Sequence, residues 1–441
     1  MSALAYHRLP RGWEVRPLKR IAALNPEVLP EDTDPEWTFP YVDIGNVTFE
    51  AGITGTELVR FADAPSRARR RVRNGDTIVS TVRTYLRAIA PVWNQPDDLI
   101  VSTGFAVIRA RPPMDAGYLS WALRSNTFVE SVVADSVGVS YPAIAPSVLG
   151  SLPVPAPPTA ERRAIADFLD RETAKIDALI ATQERLIALL DEKRQAAITH
   201  AVTKGLDPDA PMKDSGVASL GPVKVSWPVV RLKTVLRQVE QGWSPQCENR
   251  TADLDEWGVL KVGCVNGTHF DETENKALPP DLDPIAGLEI KPGDILMSRA
   301  NTIELVGSVS LVTAVRHRLL LCDKLYRLHI ECHKAEPRFI VYLLTSSVGR
   351  APLETSATGA SPSMKNISQE SVKDIWLACP TVEEQRVIAD FLDELSGQIS
   401  AAQRTAKALS EELLERRIAL ITAVVTGQID VSHPAVTEAA E

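Results

Sequence analysis

The residues in this chain that could do chemistry are thinly spread. Pro280-Asp281 followed by Glu289-Ile-Lys291 has the order of a metal-dependent nuclease core, in which two carboxylates hold a cation and a lysine assists. His317 and His329, or the pair Cys332-His333, are donors a metal could take, but neither comes with a second pair at matching spacing. The five cysteines, Cys247, Cys264, Cys322, Cys332 and Cys379, form no Cys-x-x-Cys and read as free thiols. Asn25-Pro26-Glu27 approaches the Asn/Asp-Pro-Pro-aromatic string of a methyltransferase but lacks its second proline and its ring. No glycine-rich loop ends in Gly-Lys-Ser/Thr, so a nucleotide motor has no phosphate cradle. What remains is charge. Arg60, Arg67, Arg69, Arg70, Arg71 and Arg73 lie in one stretch whose only acid is Asp63, and Arg83 and Arg87 follow, which is the chemistry of phosphate contact.

These residues need a scaffold of more than one domain. The chain has 441 residues, 44% of them hydrophobic and 24% charged, too long for one ordinary domain and too apolar for disorder. It shows neither a long uncharged apolar run nor a signal-peptide layout at its N-terminus, and a cytoplasmic location is expected. The net charge of -9 is uneven along the chain. Acids and bases balance over residues 1–205, while the stretch after 380 is strongly acidic.

An internal repeat sets the order of the elements. The string Glu161-Arg-Arg-Ala-Ile-Ala-Asp-Phe-Leu-Asp170 recurs as Glu384-Gln-Arg-Val-Ile-Ala-Asp-Phe-Leu-Asp393, and the match runs without a gap to Asp207 and Asp430. A weaker match upstream aligns Gly75-Asp76 with Gly293-Asp294 and Ser80 with Ser298, and Trp13 and Trp227 open the two copies. The repeat also tests the nuclease string: Glu289 and Lys291 fall opposite Arg71 and Arg73, so that position is expected to be a strand edge in both copies. The similar segments read as long helices. Steps of four and three from Ile165 meet Leu169, Ile176, Leu179, Leu186 and Leu190; from Ile388 they meet Leu392, Leu395, Ile399, Leu409, Leu413 and Leu420. These residues are the expected seam of a helix pair, with Lys193 and Arg416 polar in both copies. Thr381-Val-Glu-Glu384 reads as a capping box, and Gly205 and Gly427 as stops. The intervening segments carry short β-rich runs, such as Thr77-Ile-Val-Ser-Thr-Val82 and Ile295-Leu-Met-Ser298, and helical stretches over 116–133 and 338–346.

This layout resembles the specificity subunit of a Type I restriction-modification enzyme. The resemblance rests on Asn74-Gly-Asp-Thr-Ile-Val-Ser80 and Pro292-Gly-Asp-Ile-Leu-Met-Ser298, on the loops Gly138-Val-Ser-Tyr-Pro and Gly359-Ala-Ser-Pro-Ser, and on the proline-rich entries to Arg163-Ala-Ile-Ala and Arg386-Val-Ile-Ala. It implies an α+β chain with two mixed α/β target recognition domains in tandem, separated by two long helices forming an antiparallel coiled coil. The expected boundaries are 1–158 and 206–380 for the domains, 159–205 and 381–428 for the helices, and 429–441 for a tail. The resemblance further implies a non-catalytic chain in which each domain reads half of a split DNA site. The helices would dock two methyltransferase subunits, to which motor-nuclease subunits add. S-adenosylmethionine, ATP and Mg would belong to those partners, with no cofactor or metal on this chain.

Residue chemistry then nominates contacts. Arg67, Arg69, Arg70, Arg71 and Arg73 are candidates for phosphates; Arg83, Tyr85 and Arg87 in the first domain and Lys261, Arg299 and Asn301 in the second are candidates for base edges. The paired loops add Ser140, Tyr141, Ser361, Ser363 and Lys365. The alternatives are a coiled-coil adaptor that binds no DNA, and a metal-dependent nuclease.

Overall fold

The computed structural model describes residues 9–266, 269–359 and 364–431, and its contacts divide the chain into two compact units. The first runs to Glu184 and resumes at Lys407; the second runs from Arg185 to Ala406. Each unit thus joins one variable domain to half of each long helix.

In the first unit, four antiparallel strands lie in the order Ala22–Leu24, Phe105–Ala110, Thr77–Ser80, Ile89–Pro91. Their side chains alternate between two cores, as the two-residue period of a strand requires. Val79, Ala106 and Ile108 pack with Tyr118, Leu119 and Trp121 on the helical side, while Ile78, Phe105 and Val107 pack with Val42, Leu99 and Val101. The latter belong to, or border, a second sheet ordered Glu57–Arg60, Thr38–Val42, Ile100–Ser102, Ala68–Arg71, whose middle pair is parallel.

The second unit repeats this arrangement in the order Leu236–Gln241, Leu325–Ile330, Ile295–Ser298, Val309–Leu311, and its smaller sheet again holds a parallel pair, Gly258–Leu260 with Leu319–Leu320. Glu289 bridges Leu320 as Arg71 pairs with Ile100. That places the suspected nuclease glutamate at a strand edge, where its Oε1 accepts the Arg318 N–H at 2.8 Å. The expected helical stretch 116–133 is broken at a serine, whereas that over 338–346 ends at one and a further helix follows it. Ser125 separates Ala116–Arg124 from Asn126–Ala134, and Ser346 separates Pro337–Thr345 from Ser347–Ser356. In both cases the hydroxyl donates back to a carbonyl three residues earlier and accepts an N–H three residues later, capping two helices at once.

The Gly-Asp turns explain themselves in three dimensions. Gly75 and Gly293 take φ of +92° and +95°, which a side chain disfavours. Asp76 then accepts the Arg73 N–H at 2.8 Å and pairs with Arg109 at 2.8 Å; Asp294 accepts the Lys291 N–H at 2.9 Å and pairs with Arg327 at 3.1 Å. Glu27 and Glu240 complete the two networks on a neighbouring segment. His329 Nε2 donates to the Glu240 carboxylate at 3.0 Å, so this histidine serves the network.

The helices Thr159–Lys204 and Val382–Val425 end as expected, with Gly205 and Gly427 at φ of +81° and +71°. Thr381 caps the second through the Glu384 N–H at 3.3 Å, but the Glu384 carboxylate does not return to the cap. It takes the Trp227 indole at 2.9 Å and Lys224 at 2.8 Å, as Glu161 takes the Trp13 indole at 2.8 Å. Within each unit the helix halves run antiparallel. Ile165 and Leu169 share a core with Ile421 and Val424 in the first, and Ile198 and Val202 share one with Ile388 and Leu392 in the second.

The seam differs from the strict heptad in phase. Ile165, Leu169, Ile176, Ile388, Leu392, Ile399 and Leu413 are buried, and Leu190, Leu395 and Leu420 half-buried, but Leu179, Leu186 and Leu409 are 50%, 42% and 41% exposed. Alternate positions fall one residue later: Thr173, Ile180, Ile187 and Arg194 on the first helix, Gln403, Ser410 and Arg417 on the second. The apolar stripe is two residues wide at Leu179-Ile180 and Leu186-Ile187, so pattern alone does not choose between them. The first steps, 165, 169, 173 and 176, follow an eleven-residue period that the 4-3 alternation misses. Consequently Lys193 and Arg416 are exposed, and the polar seam residues are Arg194 and Arg417. Arg194 donates to Ser400 at 3.1 Å and Gln403 at 2.8 Å; Arg417 pairs with Asp177 at 2.9 Å.

Candidate nucleic-acid interface

Two segments meet at one end of the four-stranded sheet in each unit. In the first, the strand Thr77–Ser80 leads into a single helical turn, Thr84–Leu86, flanked by Arg83 and Arg87 at φ of +50° and +52°. Left-handed backbone is costly for a residue with a Cβ, and two such residues within five fix an unusual projection of side chains. The second segment is the loop 137–143, closed on itself by mutual hydrogen bonds of Val137 and Ala143. It docks beside the turn through the Val82–Ala143 bridge, the Ile144 N–H to Thr81 carbonyl bond at 2.9 Å, and the Thr84–Ser136 hydroxyl pair at 2.8 Å. Gly138, at φ +116°, permits the reversal; a Cβ there would stand 3.1 Å from the Tyr141 carbonyl oxygen.

This geometry brings together Arg83, Tyr85, Arg87, Ser140 and Tyr141. The Arg83 guanidinium lies over the Tyr141 ring, 5.1 Å from its centre, and Arg87 reaches the Asn126 amide oxygen at 3.5 Å. Three neighbours that the sequence did not single out are also exposed, Leu86 at 47%, Val137 at 81% and Val139 fully. Their lack of partners in the fold is the signal, and it is a tertiary one.

In the second unit, Ala300-Asn301 pairs with Lys365-Asn366, and Thr358 bridges Asn366, the counterparts of Val82, Ala143 and Val137. Gly359, at φ +133°, stands where Gly138 does. Asn301 and Lys365 are therefore brought together, and the Ile367 N–H to Arg299 carbonyl bond sets Arg299 beside them. The side chains are more engaged than the sequence suggests. Arg299 Nε donates to the Asp323 carbonyl at 2.9 Å, Asn301 uses its amide on Asn266 and on the Thr302 N–H, and Lys365 donates to the Gly359 carbonyl at 2.6 Å. Lys261 lies 3.8 Å from Glu274. Ser361 and Ser363 lie outside the described residues.

The arginine cluster resolves into unlike members. Arg60 pairs with Glu36 and Asp63, Arg67 with Asp43, and Arg73 with Glu27 at 2.8 Å. Arg69 lies over the Phe61 ring at 4.7 Å and bonds the Ala68 carbonyl. Arg70 is half-buried, and burial lowers its pKa. Arg71 is exposed, and among the described residues no hydrogen bond or ion pair engages its guanidinium. Acids outside the stretch, Glu36, Asp43 and Glu27, thus pair with Arg60, Arg67 and Arg73, and the basic patch is partly neutralised. No group of three or more His, Cys, Asp or Glu poised for a metal occurs among the described residues, and no described helix is long and apolar enough to cross a membrane.

No protein-family model matches the chain. Among curated proteins it is 25% identical to the Type I restriction enzyme EcoEI specificity subunit of Escherichia coli, over 92% of this chain and 82% of that one. It is 24% identical to the MjaVIII specificity subunit of Methanocaldococcus jannaschii, over 73% and 72%. Two solved structures share the fold. One is a chain from a study of complex assembly and conformational transition of the type I R-M system, with TM-score 0.72, 24% identity, and coverage of 96% of this chain and 100% of that one. The other is the HsdS subunit from Thermoanaerobacter tengcongensis, with TM-score 0.50, 23% identity, and coverage of 96% and 99%. In its duplicated strand order, its paired helices and these likenesses over most of its length, the chain is similar to Type I restriction-enzyme specificity subunits.

Proposed function

We propose that this chain is the DNA-reading subunit of a Type I restriction-modification complex, each unit reading one half of a split, asymmetric site. The observation that carries this is one strand order and one loop-docking pattern built twice, with different side chains displayed on each. A repeated scaffold meets a duplex in the same way twice, and divergent tips then select unlike half-sites. Arg71 and its neighbours are assigned to phosphates, which position the domain without reading sequence; the turn-and-loop pairs are assigned to base edges. Exposed apolar positions on the helices, including Leu179, Leu186, Val387 and Phe391, are assigned to methyltransferase subunits, with motor-nuclease subunits added to these. In this reading S-adenosylmethionine, ATP and Mg are bound by the partners, and the complex works in the cytoplasm.

Single-molecule methylome sequencing of a host with and without the chain tests the proposal. A split motif with two unlike halves should be modified only when the chain is present. Methylation that is independent of the chain would overturn it.

A further inference from the structure

We propose that the first unit reads thymine in its half-site through the C5-methyl group, using the apolar surface shared by the loop 137–143 and the turn 83–87; this rests on the DNA-reading assignment above. Val137, Val139, Tyr141, Tyr85 and Leu86 are 81%, 101%, 68%, 54% and 47% exposed, yet they stand on backbone fixed by cross-bridges and by two left-handed arginines. Rigid display of apolar side chains to water gains nothing in the free protein, and a surface of this kind marks a contact.

Charge and side-chain length identify the occupant. Residues 77–96 and 136–150 contain no Asp or Glu, while Arg83 and Arg87 flank the apolar group, so the surface suits a polyanion. The loop tip offers neither carboxylate nor carboxamide, so the pairings those groups make with cytosine N4 and with adenine N6 and N7 are missing from it. Val137 and Val139, the two most exposed of the group, are too short to act as unstacking wedges, a task done by Phe, Leu, Ile, Met or Pro. Their methyls match the thymine methyl exposed in the major groove. Arg83, steadied over Tyr141, is placed to take a neighbouring guanine or a phosphate.

The probe is the modified duplex itself, with each thymine replaced singly by deoxyuridine, bound to the complete complex of this chain with its methyltransferase. One or two replacements, confined to one half-site, should weaken binding about fourfold, the ratio to which ~0.8 kcal/mol per buried methyl corresponds. Val139→Ser, at a fully exposed position that folding does not use, should weaken binding to the thymine duplex similarly and abolish the further loss on deoxyuridine. Binding within twofold for every replacement, or independent multiplication of the Val139→Ser and deoxyuridine losses, would overturn the inference. A wild-type complex that prefers no sequence would instead overturn the DNA-reading assignment.

Discussion

Replacing Arg327 by leucine should destabilise the second unit by about 3–5 kcal/mol, the usual cost of leaving buried partner charges unpaired. The side chain is only 6% exposed and its guanidinium is fully committed. Nε donates to Glu240 at 2.7 Å, Nη1 to the Glu289 carbonyl at 2.9 Å and to Asp294 at 3.1 Å, and Nη2 to the Gly287 carbonyl at 2.7 Å. Leucine keeps much of the packing and removes every donor, leaving Glu240 with His329, Asp294 with the Lys291 N–H, and the Glu289 and Gly287 carbonyls without the guanidinium. The matching change at Arg109 should cost about half as much, because that side chain retains 24% exposure and water can reach its partners. Hydrogen exchange by peptide separates the two. Strands 295–298 and 325–330 should exchange on the order of a hundred- to a thousand-fold faster in Arg327→Leu, with 77–80 and 105–110 unchanged. The pH dependence provides a second check. Burial works to raise the Glu240 pKa, but hydrogen bonds from His329 and Arg327 outweigh it and hold the carboxyl below its ordinary 4.5. A depressed carboxylate contributes stability above its unfolded pKa and loses it as pH falls through the folded value. Acid sensitivity below about pH 4.5 should therefore diminish in the variant. Less than fivefold faster exchange, or an effect no larger than that of Arg109→Leu, would refute the reasoning.

Three other outcomes are expected. Leu186→Lys should leave the melting temperature of the chain within about 2 °C, as a surface change does, whereas Ile399→Lys should unfold the helix pair; equal effects would restore the strict heptad seam. Arg71→Ala should lower the slope of log affinity against log salt by about 1, and Arg60→Ala by less, because Glu36 and Asp63 already occupy Arg60; equal slopes would contradict the phosphate assignment. Gly138→Val, forced to a φ of +116°, should relax methylation specificity at one half-site alone, and a uniform loss across the motif would argue against a loop that reads one half.

The sequence by itself determined the duplication, the two long helices with their glycine stops, and the paired Gly-Asp turns. Each is written in contiguous residues: Gly205 and Gly427 lie where a positive φ ends a helix, and Gly75-Asp76 makes its first bond three residues away. The resemblance to specificity subunits was legible for the same reason, since the marks that carry it are local strings in a fixed order. Tertiary structure alone decided the phase of the seam, because the stripe is two residues wide and packing of each domain at Ile165, Leu169, Ile388 and Leu392 selects the face. It also decided which arginines remain free. Arg67 meets Asp43, Arg73 meets Glu27, and Arg109 meets both Glu27 and Asp76, pairings made only when distant strands come together. The exposure of Val137 and Val139 is decided in the same way: nothing in a Val-Gly-Val string says that it will stand uncovered, until the bridge from Ala143 to Val82 holds it at the end of the sheet.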